Sequence, residues 1–205
     1  MNNVSANDHL TSAQLHELID VINKVHGFDF SEYSKASLKR RLIRILQFKK
    51  LGFYDLKHTL VNDPLFFQDF LEEITVNVTE MFRDPVFYKA VNNQLLPYLS
   101  SYPDIKVWRA GCSTGEEVYS LAILLNEAGL RKKSFIYGTD INTEVLKDAR
   151  LGIYSLRKIK SYAENYHLAG LPGSITDHFT MMYDAAAIHS ELKQNTLFSV
   201  HNLVS

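Results

Sequence analysis

Cysteine is almost absent from these 205 residues. Cys112 stands alone, so no internal disulfide can staple the fold, and a reducing, cytoplasmic setting is expected. Long apolar runs are also missing: none approaches the roughly 20 residues of a membrane span, so no membrane insertion is expected. Residues Met1 to Leu10 are polar and lack the basic start and apolar stretch of a secretory signal. The eight histidines include no His-Glu-x-x-His or other metal-ligand spacing; no metal is expected, and each histidine reads as structural or solvent-exposed. There is no internal repeat. A hydrophobic fraction of 46% with 22% charged residues describes an ordinary globular chain, long enough for one ample core or two small domains.

Acid is absent from one stretch. Between Ser34 and Lys50 stand seven basic residues, Lys35, Lys39, Arg40, Arg41, Arg44, Lys49 and Lys50, with no Asp or Glu, leaving 15 basic against 23 acidic residues elsewhere. Such a face is often merely solvated, but on an otherwise acidic chain it also suits a specific anionic partner. Nucleic acid fits poorly, because the net charge is −1 and aromatics do not interleave with these cations.

Thr11 and Gln14 have capping-box spacing, and Leu15, Leu18, Ile19, Ile22 and Val25 follow at a helical period until Gly27. A second helix is expected over about 34–51, with Leu38, Leu42, Ile45 and Leu46 inward and Gly52 just past its end. A short helix is expected after Tyr54, then one capped by Asp63 with Pro64 at its first position and Phe66, Phe70, Leu71 and Ile74 on its apolar side. Residues 1–74 thus read as a small all-α domain. Residues 75–97 read as a linker and connecting helix, with Val76 to Thr79 extended and a helix from Asp84-Pro85 stopped by Pro97. In 98–205, strands over about 105–110 and 134–139 alternate with helices over about 115–128 and 142–150, and a further strand covers about 197–200. This order argues an α/β, doubly wound parallel sheet. Residues 152–195 show little periodicity.

The most informative stretch runs from Val107 through Gly111-Cys-Ser-Thr-Gly115 to Glu116-Glu117. A strand enters a turn of small residues and then a helix, which lets a ligand approach the backbone at the helix start. The dinucleotide and phosphate-loop fingerprints are absent, which argues against a nicotinamide-dependent dehydrogenase. Two acids at the helix start would repel phosphate but accept from an ammonium group or a sugar hydroxyl. S-adenosylmethionine offers both and has no phosphate. Asp140, ending the second strand, is placed to bind a ribose diol. Taken singly each feature has a plainer account: a tight strand–helix joint, acids favouring a helix dipole, or a helix cap. In this order on these elements the three converge.

The motifs resemble a known family. Asn77-Val-Thr79-Glu-Met81-Phe-Arg83-Asp84, Gly111 to Ala122, Gly138-Thr139-Asp140-Ile141 and His201-Asn202-Leu203 resemble the chemotaxis receptor methyltransferases (the CheR family), with Met81 and Val118 standing where the family usually has Phe and Pro. The resemblance implies a Rossmann-like class I methyltransferase sheet, incomplete at the C-terminus because the family pattern continues with a further strand and a Cys-Arg-Asn motif. It implies a protein-glutamate O-methyltransferase using S-adenosylmethionine and releasing S-adenosylhomocysteine. Arg83 would lie beside the methyl group and orient the acceptor carboxylate, unless it forms a structural ion pair, for example with Asp84. Asn77 and Thr79 would hold polar atoms of the cofactor, or else bond their own turn. Glu117, in preference to Glu116, and Asp140 would contact it too, with Asn202 and Leu203 flanking the adenine. Lys39, Arg40, Arg41 and Arg44 would face the cytoplasmic helical region of the receptors, and the chain would act as a monomer. A non-catalytic docking module is the alternative.

Overall fold

The computed structural model describes residues 10–75 and 79–203. Backbone contacts divide the chain into two units, residues 1–76 with 202–205, and residues 77–201.

The first unit contains α1 (Ser12–His26), α2 (Lys35–Lys49), α3 (Phe53–Asn62) and α4 (Pro64–Ile74). The capping box of Thr11 and Gln14 forms, and Gly27, at φ 73°, closes α1 in the left-handed region that glycine adopts without penalty. Leu15, Leu18, Ile19 and Ile22 are buried, whereas Val25 is exposed, so the stripe ends one turn earlier than its period suggests. Lys50, not Gly52, ends α2 at φ 53°; Gly52 instead precedes α3, where its N–H donates to Asp55. In α4 the side chain of Asp63 accepts from the N–H groups of Leu65 and Phe66, both at 3.0 Å, and Pro64 occupies the first position. Phe67 rather than Phe66 joins Phe70, Leu71 and Ile74 in the core. It stacks on His26, with ring centroids 3.6 Å apart, while the Nε2–H of His26 donates to the carbonyl of Leu60 at 2.6 Å.

The basic helix is not uniform. Arg40 and Arg44 are exposed and Lys39 is half-buried. Arg41 turns inward, its Nη1 donating to the carbonyl of Ile74 at 2.7 Å, where a cation complements the C-terminus of α4. Lys49 pairs with Glu73 at 3.1 Å and lies over the ring of Phe66.

The second unit opens with α5 (Pro85–Ala90), which runs through a π turn at Val91–Leu95 into α6 (Leu96–Leu99). Pro97 therefore does not stop the helix: the wider turn before it relaxes the usual conflict between a proline ring and the carbonyl one turn back. The strands β1 (Ile105–Ala110), β2 (Ser134–Asp140) and β6 (Thr196–Val200) form a parallel sheet in the order β1-β2-β6. They are connected through α7 (Glu116–Glu127) and α8 (Thr143–Leu151), which pack on the sheet. Gly138 pairs with Phe198 across β2 and β6. A Cβ there would come within 2.8 Å of the Phe198 ring and 3.0 Å of Val118, so only glycine fits.

Between α8 and β6 lies a separate module that the sequence pattern did not show. Its strands β3 (Ile153–Ser155), β4 (Phe179–Met181) and β5 (Ala185–Ile188) form an antiparallel sheet in the order β3-β5-β4, with α9 (Leu156–Leu168) following directly on β3 and the short α10 (Ser190–Lys193) leading to β6. Arg131 returns the chain from this module to the parallel sheet. Its buried guanidinium donates to the carbonyls of Ser134 at 3.1 Å, Leu192 at 3.0 Å and Gln194, and to Thr196 Oγ1 at 2.7 Å. Charge-assisted bonds of this kind contribute about 1.5–3 kcal/mol each, less when they share one donor group. Arg131→Met is expected to lower unfolding stability by about 2–4 kcal/mol in urea titrations; a loss below about 0.5 kcal/mol would show that the bridge is idle.

Candidate functional site

The loop after β1 turns three times through the left-handed region, at Gly111 (φ 66°), Ser113 (φ 49°) and Gly115 (φ 87°). Gly115 is also closely packed, because a Cβ there would meet Ala149 of α8 at 3.0 Å and force it to give by a few tenths of an ångström. Backbone and carboxylate bonds hold the loop in this shape. The N–H of Cys112 donates to Thr139 O at 2.9 Å, and that of Gly115 to Cys112 O at 3.0 Å. The two oxygens of Asp140 accept from the N–H groups of Ser113 at 2.8 Å and Asn142 at 3.0 Å. Asp140 thus knots the ends of β1 and β2 together, and each of its oxygens keeps a further acceptor lone pair. Burial, followed by the charge of Asp140, pushes the Cys112 thiol up to about 12, so it stays protonated and is no nucleophile.

The two acids at the start of α7 have different environments. Glu116 is fully buried and accepts from Thr114 Oγ1 at 2.6 Å, Lys158 Nζ at 2.9 Å and Tyr162 OH at 3.0 Å. Glu117 is partly exposed and pairs through Oε2 with Arg109. Three donors from within the chain occupy most of the acceptor sites of Glu116, whereas Glu117 bonds one, Arg109, among the described residues.

A second loop precedes α5. Asn77 lies outside the described residues. Phe82 adopts φ 53°, a conformation that costs a non-glycine residue about 1–2 kcal/mol. It is held there by its N–H donating to Ser120 Oγ at 3.0 Å, and by its buried ring, which packs edge-on against Tyr88 and Tyr166. Ser120 in turn donates to Glu116 O at 2.8 Å. This turn sets the direction in which Arg83 leaves the backbone. Asp84 accepts from the N–H of Phe87 at 3.4 Å and caps α5.

Four buried side-chain polar atoms have no hydrogen-bond partner among the described residues, and three sit on this site's loops: Thr79 Oγ1, Ser113 Oγ and Asn142 Nδ2. Unsatisfied buried groups are expensive and are kept where a ligand uses them, so the loops fit a small polar molecule such as S-adenosylmethionine. A cavity of about 390 Å³ is lined mainly by apolar side chains, Leu96, Leu121, Leu124 and Val107 among them, with Arg109 and Glu117 also in its wall. Neither Thr79, Ser113 nor Asp140 lines it, and its walls are too apolar for the charged end of such a cofactor. Asn202 and Leu203, which follow β6, group with the first unit by their contacts. The reading from sequence missed Ser120, Lys158, Tyr162 and Asn165. A signal existed for part of this set: Ile159, Tyr162, Ala163 and Tyr166 recur at helical spacing.

Comparison with known proteins bears on the same segments. The all-alpha domain of CheR methyltransferases matches residues 13–75, and the SAM binding domain of CheR methyltransferases matches residues 77–205. Cher3 of Pseudomonas putida is 44% identical over 196 residues, which span 95% of this chain and 72% of that protein. The chemotaxis protein methyltransferase of Listeria monocytogenes is 32% identical over 70% of this chain, and that of Salmonella typhimurium 30% over 74%. The matched regions span 56% and 54% of those two proteins, so the chain covers little more than half their length. With both domains matched in order along the chain, the protein belongs to the CheR methyltransferase family.

Proposed function

We propose that this chain binds S-adenosylmethionine at the loops of residues 79–83, 111–117 and 140–142 and serves as a protein-glutamate O-methyltransferase acting on chemotaxis receptors. The observation that carries the reading is the Asp140-anchored loop, whose three left-handed residues and unpartnered polar atoms coincide with the segment matched to the SAM binding domain.

The cofactor supplies a methyl group made electrophilic by its sulfonium. The chain's own residues bind and orient. Asp140 offers its remaining lone pairs to the ribose hydroxyls, and Glu117 offers its free oxygen to the amino group while Arg109 keeps the other in place. Asn77 and Thr79 hold further polar atoms, and Asn202 and Leu203 flank the adenine. Arg83 presents a planar fork to the incoming carboxylate, which a lysine point charge would hold less directionally. The acceptor glutamate is ionised far above its reference pKa of about 4.3, so no general base is needed. Rate advantage then comes from alignment, which can supply about 7–11 kcal/mol. Arg40 and Arg44, both exposed on α2, meet the acidic receptor helices in the cytoplasm; Lys39 assists, and Arg41 supports the face through α4. No second copy of the chain is required by this scheme.

Calorimetric titration with S-adenosylhomocysteine, with NAD as control, tests the pocket. Selective binding is expected, and Asp140→Ala should weaken it at least about tenfold, since each of the two loops loses its bond to the carboxylate. A folded chain that binds neither would leave the family fold in a docking role. Arg83→Ala should slow methyl transfer to receptor helices about 100-fold with little change in melting temperature; equal loss of both would make Arg83 a structural ion-pair residue. Arg40→Glu combined with Arg44→Glu should weaken receptor binding several-fold at low salt, fading as salt rises, with S-adenosylhomocysteine affinity unchanged. Receptor affinity that does not respond would mean the face is only solvated.

A further inference from the structure

Ser120 of α7 joins the two loops of the site, its Oγ accepting from the N–H of Phe82 and donating to Glu116 O, and both loops are also bonded to a second helix, α9. From α9, Tyr162 OH and Lys158 Nζ reach the buried carboxylate of Glu116, which in turn holds Thr114. One strand earlier, Tyr154 OH donates to Thr114 O at 3.0 Å. Three residues beyond Tyr162, Asn165 Nδ2 donates to Met81 O at 3.0 Å, immediately before the left-handed Phe82. Residues 162 and 165 lie on one helical face, so a single rigid element spans from the loop after β1 to the turn that launches Arg83. Packing alone does not call for this. A buried carboxylate is costly unless its partners surround it, and an apolar residue of similar size would fill the position of Glu116 more cheaply. The charged network adds a defined geometry at the loop.

We propose that α9 is a positioning element of methyl transfer, beside Ser120 of α7: Tyr162 and Lys158 act through Glu116 on the loop that receives the cofactor, and Asn165 acts through the Met81 carbonyl on the turn that carries Arg83. This rests on the function proposed above and extends it to residues that touch neither the cofactor nor the acceptor. Two kinds of defect follow. Loosening the first loop should be read in cofactor affinity. Loosening the turn should be read in turnover, because Arg83 then presents its fork over a wider range of angles.

The test uses Tyr162→Phe, which keeps the ring and removes only the hydroxyl, and Asn165→Ala at a partly exposed position, each in the whole chain. Amide hydrogen exchange is measured first, without ligand. Faster exchange at Ser113 and Gly115 is expected for Tyr162→Phe, and at Phe82 for Asn165→Ala; unchanged exchange overturns the proposal. Calorimetry and initial rates come next. Tyr162→Phe should weaken S-adenosylhomocysteine binding about tenfold. Asn165→Ala should leave that affinity within about twofold while kcat falls about tenfold, and Asn165→Gln, which retains the donor, should recover part of the loss. Lower melting temperatures with unaltered affinity and kcat would make α9 a packing helix only. Failure of the unsubstituted chain to bind S-adenosylhomocysteine would remove the methyltransferase reading and this proposal together. Binding by the unsubstituted chain and equally by both variants would remove this proposal alone.

Discussion

The carboxylate of Asp140 accepts one backbone N–H from the loop after β1 and one from the loop after β2, and the shape of the site depends on that bridge. Without it the positive φ values at Gly111, Ser113 and Gly115 would be held only by local turns and the bond from Cys112 N–H to Thr139 O. With it the ends of two parallel strands become one rigid ledge, at the position where open α/β sheets bind ligands. The neighbouring elements reinforce the ledge. Tyr119 OH donates to Ala149 O at 2.7 Å, fixing α7 to α8 behind the loop, and the N–H of His201 donates to Asp140 O at 3.0 Å, fixing β6 beside it.

The second loop is constrained differently. Its strain is concentrated at Phe82, and that strain is stable only because the ring is fully enclosed and the amide has a buried hydroxyl to bond. A side chain leaving such a turn has few directions open to it. Aromatic packing therefore does at this loop what the carboxylate does at the other: it removes conformational freedom before a ligand arrives, so that binding need not expend free energy on ordering.

Much of the architecture was legible in the sequence because it is written in local signals. The Thr11–Gln14 box, the Asp63-Pro64 start and the strand–turn–helix around Gly111 to Glu117 each depend on residues close together in the chain. The errors also have local causes. Lys50 closed α2 because Gly52 was needed to begin α3, and Pro97 lay within a helix because the π turn made room for it. What was not legible depends on distance in sequence. The antiparallel module has strands of three and four residues, too short for alternation to show, and β3 pairs with β5 across more than 25 positions. The network at Glu116 draws donors from 42 and 46 residues away. Two adjacent glutamates look alike in a sequence; the structure buries one and leaves the other partly exposed.

The approach of β2 to β6 has a consequence for how this fold can vary. Gly138 faces Phe198 and Val118 with no room for a methyl group. An alanine at 138 would be rejected while the phenylalanine remains, and is accommodated with a smaller residue at 198 only if Val118 gives way by a few tenths of an ångström. The substitutions open to one position are thus set by the occupant of another 60 residues along the chain, and a lineage must change them in a particular order. The glycine of the Gly-Thr-Asp triplet is in this sense half of a two-letter word whose other letter is aromatic.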